Sequence, residues 1–212
     1  MIINESLEEL KQIGSENGKL NNKQMCKLIF PKYCCGKHES EKRVSEQEAR
    51  LLFIRELEKQ GNCYYSIETP TSKLYNFSDK NKPIIIEKDT EKIGQSASFD
   101  LTLYDKDYKR KHFIEFKNGN VNTVKKDFLK LLCDEENTDN YFVNIIDRNN
   151  LSERATLDSI KDKYQKAIDY VMHEIDKKEH TNSKLTIILF NINDGECIQF
   201  PDIILNGNTK IK

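Results

Sequence analysis

Apolar and polar residues alternate in several short runs through the middle and the end of the chain. An alternation with a period of two is typical of a strand with one buried face, so each run predicts a strand. Turn-forming residues separate the runs, and Thr69-Pro70-Thr71 is expected to end the first of them. The predicted strands are 63–68, 83–87, one strand through Asp100, one through Glu115, 141–147, 185–191 and 196–200.

Apolar residues at spacings of three and four predict helices between these strands. Ser45 can cap a helix in which Glu48 is the capping-box partner, and Gly61 is a natural end for that helix. Further helices are predicted over 5–13, 21–29 and 153–178. A helix after the strand of Glu115 has the apolar stripe Val124, Phe128, Leu131 and Leu132, with Lys125, Lys126 and Lys130 on its other faces.

The order of these elements is a helix, three strands, a helix and a further strand. This order predicts an α/β protein with a mixed central sheet flanked by helices. The 212 residues are enough for one sizeable domain with an added piece. We expect an N-terminal helical extension over 1–43, the main domain over 44–205 and a frayed tail over 206–212.

The strands through Asp100 and Glu115 lie close enough in the sequence to form an antiparallel hairpin. Side chains alternate between the two faces of a strand, so the register decides which residues meet. A turn at residues 107–108 pairs Asp100 with Glu115, Ser98 with Lys117, Phe99 with Phe116, and Leu101 with Ile114. The first two pairs would form a polar face and the last two an apolar face.

The polar face of this hairpin has the composition of a metal site. Directly opposed residues have Cβ atoms about 4.5–5.5 Å apart, so Asp100 and Glu115 could share one cation. Mg²⁺ and Mn²⁺ accept carboxylate oxygens and retain water, which can attack a phosphorus atom. Lys117 could orient that water or offset negative charge on the phosphorus. These are the groups that hydrolysis of a phosphodiester requires.

An acid on one strand and Glu115-Phe116-Lys117 on the next resemble the motif of the PD-(D/E)XK nuclease superfamily. The resemblance covers residues 44–148 and implies a restriction-endonuclease-like fold and a metal-dependent nuclease. It implies that Asp100 and the motif glutamate hold Mg²⁺ or Mn²⁺ and that the motif lysine is catalytic. It also implies a catalytic, metal-binding glutamate from the preceding helix, for which Glu48 is the candidate. The proline that usually precedes the first acid is Phe99 here.

Two alternatives remain open. Glu48 can serve only as the cap of its own helix, because Ser45 lies three residues before it. Charged residues make up 33% of the chain, so Asp100, Glu115 and Lys117 can also form the solvated face of an ordinary hairpin. The chain would then be a catalytically inactive nuclease-like scaffold that binds nucleic acid or another protein.

Basic residues outside the hairpin could contact the phosphates of a nucleic acid, DNA being expected before RNA. Lys125 and Lys126 begin the helix after the hairpin, and Arg43 precedes the helix that Ser45 begins. We assign these three residues as nucleic-acid contacts. The competing interpretation is that they only face solvent, as charged runs commonly do. Nothing in the sequence specifies a base sequence or a single or double strand.

Overall composition limits the compartment and the source of affinity. The net charge is −1, so binding to nucleic acid would need local basic patches. No apolar run approaches the roughly 18 residues of a membrane-spanning helix, and the first residues lack the features of a secretory signal. We therefore expect a cytoplasmic protein that has no membrane partner and whose 6 cysteines are free thiols.

Other features of the sequence carry weaker expectations. Cys34, Cys35 and His38 could accept zinc, but their spacing fits a structural zinc site loosely, so none is expected. The sequence leaves open whether two copies form a homodimer. The single apolar stripe of the helix over 153–178 favours a cover of the sheet over a dimer face. The resemblance also leaves room for a role in host defence or in a mobile element.

Overall fold

The computed structural model of the protein describes residues 2–15, 28, 45–61, 63–79, 82–86, 94–119, 124–135, 137–146, 154–175, 183–192, 195–200 and 202–204. The predicted helix over 21–29 lies outside these residues, apart from residue 28. So do the predicted phosphate contact Arg43 and the group considered for zinc, Cys34, Cys35 and His38.

Within this part of the chain the structure has helices and strands at the predicted places. The helices are α1 (Ile2–Ser15), α2 (Glu46–Gln60), α3 (Val124–Cys133) and α4 (Arg154–Ile175). The strands are β1 (Tyr64–Asn76), β2 (Ile84–Ile86), β3 (Gln95–Tyr104), β4 (Arg110–Asn118), β5 (Asp139–Ile146), β6 (Lys184–Asn191), β7 (Cys197–Gln199) and β8 (Ile203–Ile204). No helix among the described residues is long and apolar enough to cross a membrane.

The strands form one sheet in the order β2-β1-β3-β4-β5-β6-β7, and β8 pairs with β6. Strand β3 runs antiparallel to its two neighbours β1 and β4, whereas β4, β5 and β6 are parallel to one another. Parallel neighbours need a crossover connection, and α3 and α4 lie in the two crossovers that join β4, β5 and β6. The protein therefore has a mixed α/β fold with a central sheet, as the order of elements predicts.

Helices α3 and α4 cover one face of the sheet. Tyr164, Ile168 and Val171 of α4 recur at spacings of three and four and are buried in one cluster with sheet residues such as Phe142. The Tyr164 hydroxyl also accepts a 2.9 Å hydrogen bond from Nδ2 of Asn144 on β5. The expectation that this helix covers the sheet is confirmed.

Helices α1 and α2 cover the other face of the sheet. Leu7 and Leu10 of α1 are buried in one cluster with Phe53 of α2 and with residues of β3, β4, β5 and β6. Arg55 of α2 also forms an ion pair with Glu9 of α1. The helix at the start of the predicted N-terminal extension therefore shares the core of the main domain.

Helix α2 begins and ends where the sequence predicts. Ser45 and Glu48 form a capping box, in which the Ser45 N–H donates to Glu48 Oε2 at 2.9 Å. Gly61 ends the helix with a φ of 62°, a left-handed conformation that glycine adopts at little cost. These two ends fix the position of α2 relative to the sheet and, with it, the position of Arg50.

Strand β1 does not end at residues 69–71, as predicted, but continues to Asn76. Its pairing with β3 includes Pro70 opposite Ser98 and then shifts register before Leu74. Strand β2 pairs with β1 only from Leu74 to Asn76. One side of β1 thus has no strand partner at Pro70 among the described residues, and proline fits such an edge position because no ladder bond is lost.

Candidate active site

The hairpin of β3 and β4 has the register that the sequence predicts, with Leu101 opposite Ile114. At the next pair, Asp100 and Glu115, hydrogen bonds to side chains take the place of the backbone ladder. The Phe116 N–H donates to Asp100 Oδ2 at 2.7 Å, and the Asp100 N–H donates to Glu115 Oε1 at 3.4 Å. The two acids therefore meet, as predicted, at the point where the strands separate.

The apolar part of the predicted pairing is wrong at Phe99. This ring stacks on Phe113 with a centroid distance of 4.1 Å, in the cluster beneath α3 and α4. Phe116 is buried in the opposite cluster, together with Leu101 and Ile114. Because the ladder gives way to side-chain bonds at Asp100, the alternation of faces is interrupted there, and Phe99 faces the other side of the sheet from Leu101.

Glu115 is only 1% exposed and is bound by two ammonium groups. Lys117 Nζ donates to its Oε2 at 3.1 Å. Lys130 Nζ donates to its Oε1 at 2.5 Å and also to the carbonyl oxygen of Ser98 at 2.6 Å. Since a buried charge is costly unless it is paired, the two lysines compensate the burial of Glu115.

Helix α3 brings two charged residues to the site that the sequence pattern did not assign to it. Asp127 and Lys130 are 1% and 3% exposed. The sequence predicts Lys130 on a face away from the apolar stripe, and the structure shows that this face is buried as well, because α3 is buried on nearly all sides. One signal could have found Asp127. It lies three residues after Val124 and four before Leu131, which is on the apolar stripe of the helix.

Asp127 is close to the same two ammonium groups as Glu115, but at longer distances. Its Oδ1 lies 3.5 Å from Lys130 Nζ, and its Oδ2 lies 3.8 Å from Lys117 Nζ. Although Oδ2 is buried, it accepts no hydrogen bond from the residues that the structure describes. Buried polar atoms nearly always have a partner, so this oxygen needs a physical explanation.

The crowding of charges changes the pKa of three groups. Burial, and then the charge of Glu115, raise the pKa of Asp100 from 3.8 to about 6. The same two causes raise the pKa of Asp127 from 3.8 to about 6. Burial would lower the pKa of Lys117, but the charges of Glu115, Asp127 and Asp100 outweigh it and raise the pKa. Lys117 is therefore protonated at neutral pH.

Helix α2 contributes Arg50 to the neighbourhood of Asp100. Arg50 Nη1 donates to Glu68 Oε1 at 2.5 Å and lies 3.9 Å from Asp100 Oδ1. Glu48 is engaged at the start of its helix, where its Oε2 accepts hydrogen bonds from Ser45. Of the two roles considered for Glu48, the helix cap is confirmed. Its role as a metal ligand and catalytic residue stays a prediction.

The charged cluster lines a cleft of about 510 Å³. Its charged wall includes Asp100, Glu115, Lys117, Asp127 and Lys130. Phe77 and Lys126 line another part of it, with Lys126 Nζ 5.0 Å from the centre of the Phe77 ring. Lys125 Nζ lies instead 4.8 Å from the ring centre of Tyr170 on α4. Of the lysines predicted to contact phosphate, Lys126 is thus the one that lines the cleft.

Two further predictions concern cysteines and metals. Cys63, Cys133 and Cys197 are free thiols, as expected for the cysteines in the described part of the chain. The same part contains no group of three or more histidine, cysteine, aspartate or glutamate side chains arranged to hold a metal ion. A metal prediction therefore rests on the pairing of Asp100 with Glu115 and on the acids beside them.

Comparisons of the chain with protein-family models, with curated proteins and with solved structures found no match. The resemblance to the PD-(D/E)XK superfamily therefore rests on the motif alone. The protein thus has a mixed α/β fold, and acids and lysines from β3, β4 and α3 meet on the wall of one cleft.

Proposed function

We propose that this protein is a metal-dependent nuclease with a restriction-endonuclease-like fold, which hydrolyses phosphodiester bonds in DNA. The observation that carries the proposal is the meeting of Asp100, Glu115 and Lys117 on the wall of one cleft. An ordinary solvated hairpin would leave such side chains in water. Here Glu115 is 1% exposed and Lys117 is paired with it, mid-strand in an apolar sheet.

The order of elements supports the same proposal. Helix α2 precedes the antiparallel strands β1, β3 and β4, and α3 then leads to β5, which is parallel to β4. This is the helix, three strands, helix and strand that the resemblance implies, with the short strand β2 added at the edge. The acids and the lysine lie on the two central strands of this unit, β3 and β4.

The donor set fits a hard divalent cation. Asp100 and Glu115 offer carboxylate oxygens, which Mg²⁺ and Mn²⁺ prefer. The raised pKa of Asp100 means that its negative charge is held unfavourably beside Glu115, and a bound cation would relieve this repulsion. Asp100 and Glu115 would hold the cation, which would supply positive charge at the scissile phosphate when bound.

Lys117 would act as a donor rather than as a base, because its raised pKa keeps it protonated at neutral pH. Its ammonium would orient the attacking water and offset the charge that develops on the phosphate. In the reaction, the water oxygen forms a bond to phosphorus and the bond from phosphorus to one sugar oxygen breaks. The proton that the water loses balances the proton that the leaving sugar oxygen gains.

Lys126 is the residue we propose for contact with a DNA phosphate, since it lines the cleft beside Phe77. Lys125 and Arg43 stay predicted contacts. A metal-binding role for Glu48 would require its carboxylate to leave Ser45. We propose DNA as the partner and the cytoplasm as the compartment, with host defence or a mobile element as the setting. Formation of a homodimer is left open.

One observation favours the alternative, a nuclease-like scaffold that binds nucleic acid without cleaving it. Glu115 already has two ammonium partners, Lys117 at 3.1 Å and Lys130 at 2.5 Å. These lysines compensate much of the charge that would otherwise attract a cation. A protein that needs no metal would keep such an arrangement unchanged.

Incubation with supercoiled plasmid and with a labelled single strand, in Mn²⁺ or in EDTA, separates the two functions. The variants are Asp100→Asn and Lys117→Met, which keep the size of each side chain, and the control is Asp105→Asn at the hairpin turn. We expect cleavage that needs Mn²⁺, is lost in both site variants and is retained in the control. DNA binding without cleavage, and without any rise in Tm on adding Mn²⁺, would support the scaffold instead.

A further inference from the structure

Asp127 is a buried acid on the wall of the cleft, beside the groups assigned to hydrolysis. Its Oδ1 lies 3.5 Å from Lys130 Nζ. Its Oδ2 is buried, yet it accepts no hydrogen bond from any described residue, and Lys117 Nζ is 3.8 Å away, beyond hydrogen-bonding distance. The carboxylate is therefore held at one oxygen and unsatisfied at the other.

An unsatisfied carboxylate oxygen is costly in this position, because burial removes its water without supplying a donor. The neighbouring positions on the same stripe of α3, Val124 and Leu131, are filled by buried apolar side chains. An apolar residue at position 127 would carry no such cost. The chain instead has an acid there, on the wall of the cleft.

We propose that Asp127 supplies a third carboxylate ligand, through Oδ2, to the divalent cation that Asp100 and Glu115 would hold. The described residues contain no preformed group of three such ligands, so the three carboxylates would have to move closer together when the cation binds. This inference rests on the proposed function, since it assigns a further ligand to the same site. It also explains why Oδ2 has no hydrogen-bond donor among the described residues. A hard cation can bind a buried carboxylate oxygen in place of such a donor.

Lys130 is the positioning residue for this ligand. Its ammonium contacts Asp127 Oδ1, Glu115 Oε1 at 2.5 Å and the carbonyl oxygen of Ser98 at 2.6 Å. These contacts join α3 to both strands of the hairpin. They engage Oδ1 of Asp127 and Oε1 of Glu115, whereas Oδ2 of Asp127 accepts no hydrogen bond from the described residues.

The charge of the cluster also fits a divalent cation. Asp100, Glu115 and Asp127 are the acids, and Lys117 and Lys130 are the bases, each in contact with Glu115 and Asp127. The acids outnumber these bases by one, so the cluster keeps negative charge. Arg50 is engaged with Glu68 at 2.5 Å and lies 3.9 Å from Asp100, which compensates that charge only in part.

Titration of the full chain with Mn²⁺ in a calorimeter tests the inference without relying on activity. Asp127→Asn keeps the shape of the side chain and its contact with Lys130 but lacks the charged ligand. Its Kd for Mn²⁺ should rise at least about tenfold, since even the loss of outer partners of a metal site has that effect. Asp134→Asn is the matched control, because Asp134 is a buried acid just after α3 whose oxygens accept from Ser72 N–H and Lys73 N–H.

A second variant reports on direct ligation and covers the case in which Asp127→Asn does not fold. A thiolate shifts metal preference towards Zn²⁺, so Asp127→Cys should raise the ratio of Zn²⁺ to Mn²⁺ affinity at least about tenfold, and Asp134→Cys should not. Unchanged Mn²⁺ affinity in folded Asp127→Asn, or equal ratios in the two cysteine variants, would overturn the assignment of Asp127 and leave the proposed function standing. Failure of the wild-type chain to bind Mn²⁺ or to cleave DNA would overturn the proposed function itself.

Discussion

The backbone N–H of Phe116 donates a 2.7 Å hydrogen bond to Oδ2 of Asp100. A side chain of β3 thus takes the place that a carbonyl group would have in a continuous ladder, and β3 and β4 separate at this point. The bond orients Asp100 beside Glu115 but does not supply a positive charge. The acid is therefore well positioned and poorly compensated, which is the usual state of a functional carboxylate.

Asp100→Asn should stabilise the protein at pH 8 and have little effect near pH 4. The pKa of Asp100 is about 6 in the folded protein against 3.8 as its ordinary value. Between these values the folded chain binds more protons than the unfolded chain, so stability falls as the pH rises through this window. Asparagine removes that loss, on the order of 2 kcal/mol above pH 6.

Thermal melts in EDTA at pH 4, 6 and 8 measure this effect. The difference in Tm between Asp100→Asn and the wild type should grow across the series. Asp105→Asn is the control, because the pKa of Asp105 is lowered overall, chiefly by the hydrogen bond that its carboxylate accepts from the Lys109 N–H. A variant that loses more stability relative to the wild type as the pH rises would show instead that the Asp100 carboxylate is net stabilising in the fold.

Lys130→Met should destabilise the protein by about 3 kcal/mol, because it leaves Glu115 and Asp127 buried with one ammonium fewer. Methionine fills a similar volume, so the loss reports on charge rather than on a cavity. Urea unfolding at pH 7 measures it. Lys126→Met, on the same helix at the cleft, is the control and should change stability by less than about 0.5 kcal/mol. Equal effects of the two variants would mean that water reaches and solvates the acids.

The central hairpin could be predicted because its cause is local. Alternation of faces and a short turn decide that Asp100 and Glu115 meet, and both are readable from neighbouring residues. The same holds for α2, where Ser45, Glu48 and Gly61 mark the ends of the helix within the sequence. These elements require no knowledge of what packs against them.

The contribution of α3 could not be predicted from its own sequence. The sequence places Lys130 only on a face away from the apolar stripe, whereas in the fold this side chain is buried and its ammonium donates to Glu115 and to the carbonyl oxygen of Ser98. The continuation of β1 past Pro70 likewise depends on the sheet, because among the described residues one side of β1 has no strand partner at that position. Phe99 faces the other side of the sheet from Leu101 because side-chain hydrogen bonds interrupt the ladder at Asp100. The alternation of apolar and polar residues does not predict such an interruption.

Glu48→Ala separates the two roles considered for this residue. As the capping-box partner of Ser45, Glu48 stabilises the first turn of α2, so its loss should lower the free energy of unfolding by about 1 kcal/mol. Ser45→Ala should have a similar effect, because it removes the other half of the same box. If Glu48 acts only as the cap, both variants should keep metal-dependent cleavage and Mn²⁺ affinity. Loss of Mn²⁺ affinity in Glu48→Ala alone would establish it as a ligand.

Lys126→Ala should weaken DNA binding and make it less sensitive to salt. If its ammonium neutralises one phosphate, the slope of log K against log salt concentration should become shallower by about 0.9 for duplex DNA, because one fewer counterion is released. Binding is measured by fluorescence anisotropy in EDTA, in an Asp100→Asn background that does not cleave. Lys166→Ala, at an exposed position of α4, is the matched control. If Lys126 contacts a phosphate, the slope should change for Lys126→Ala only. Equal changes of slope in both variants would reflect net charge alone and would show that Lys126 does not contact the DNA.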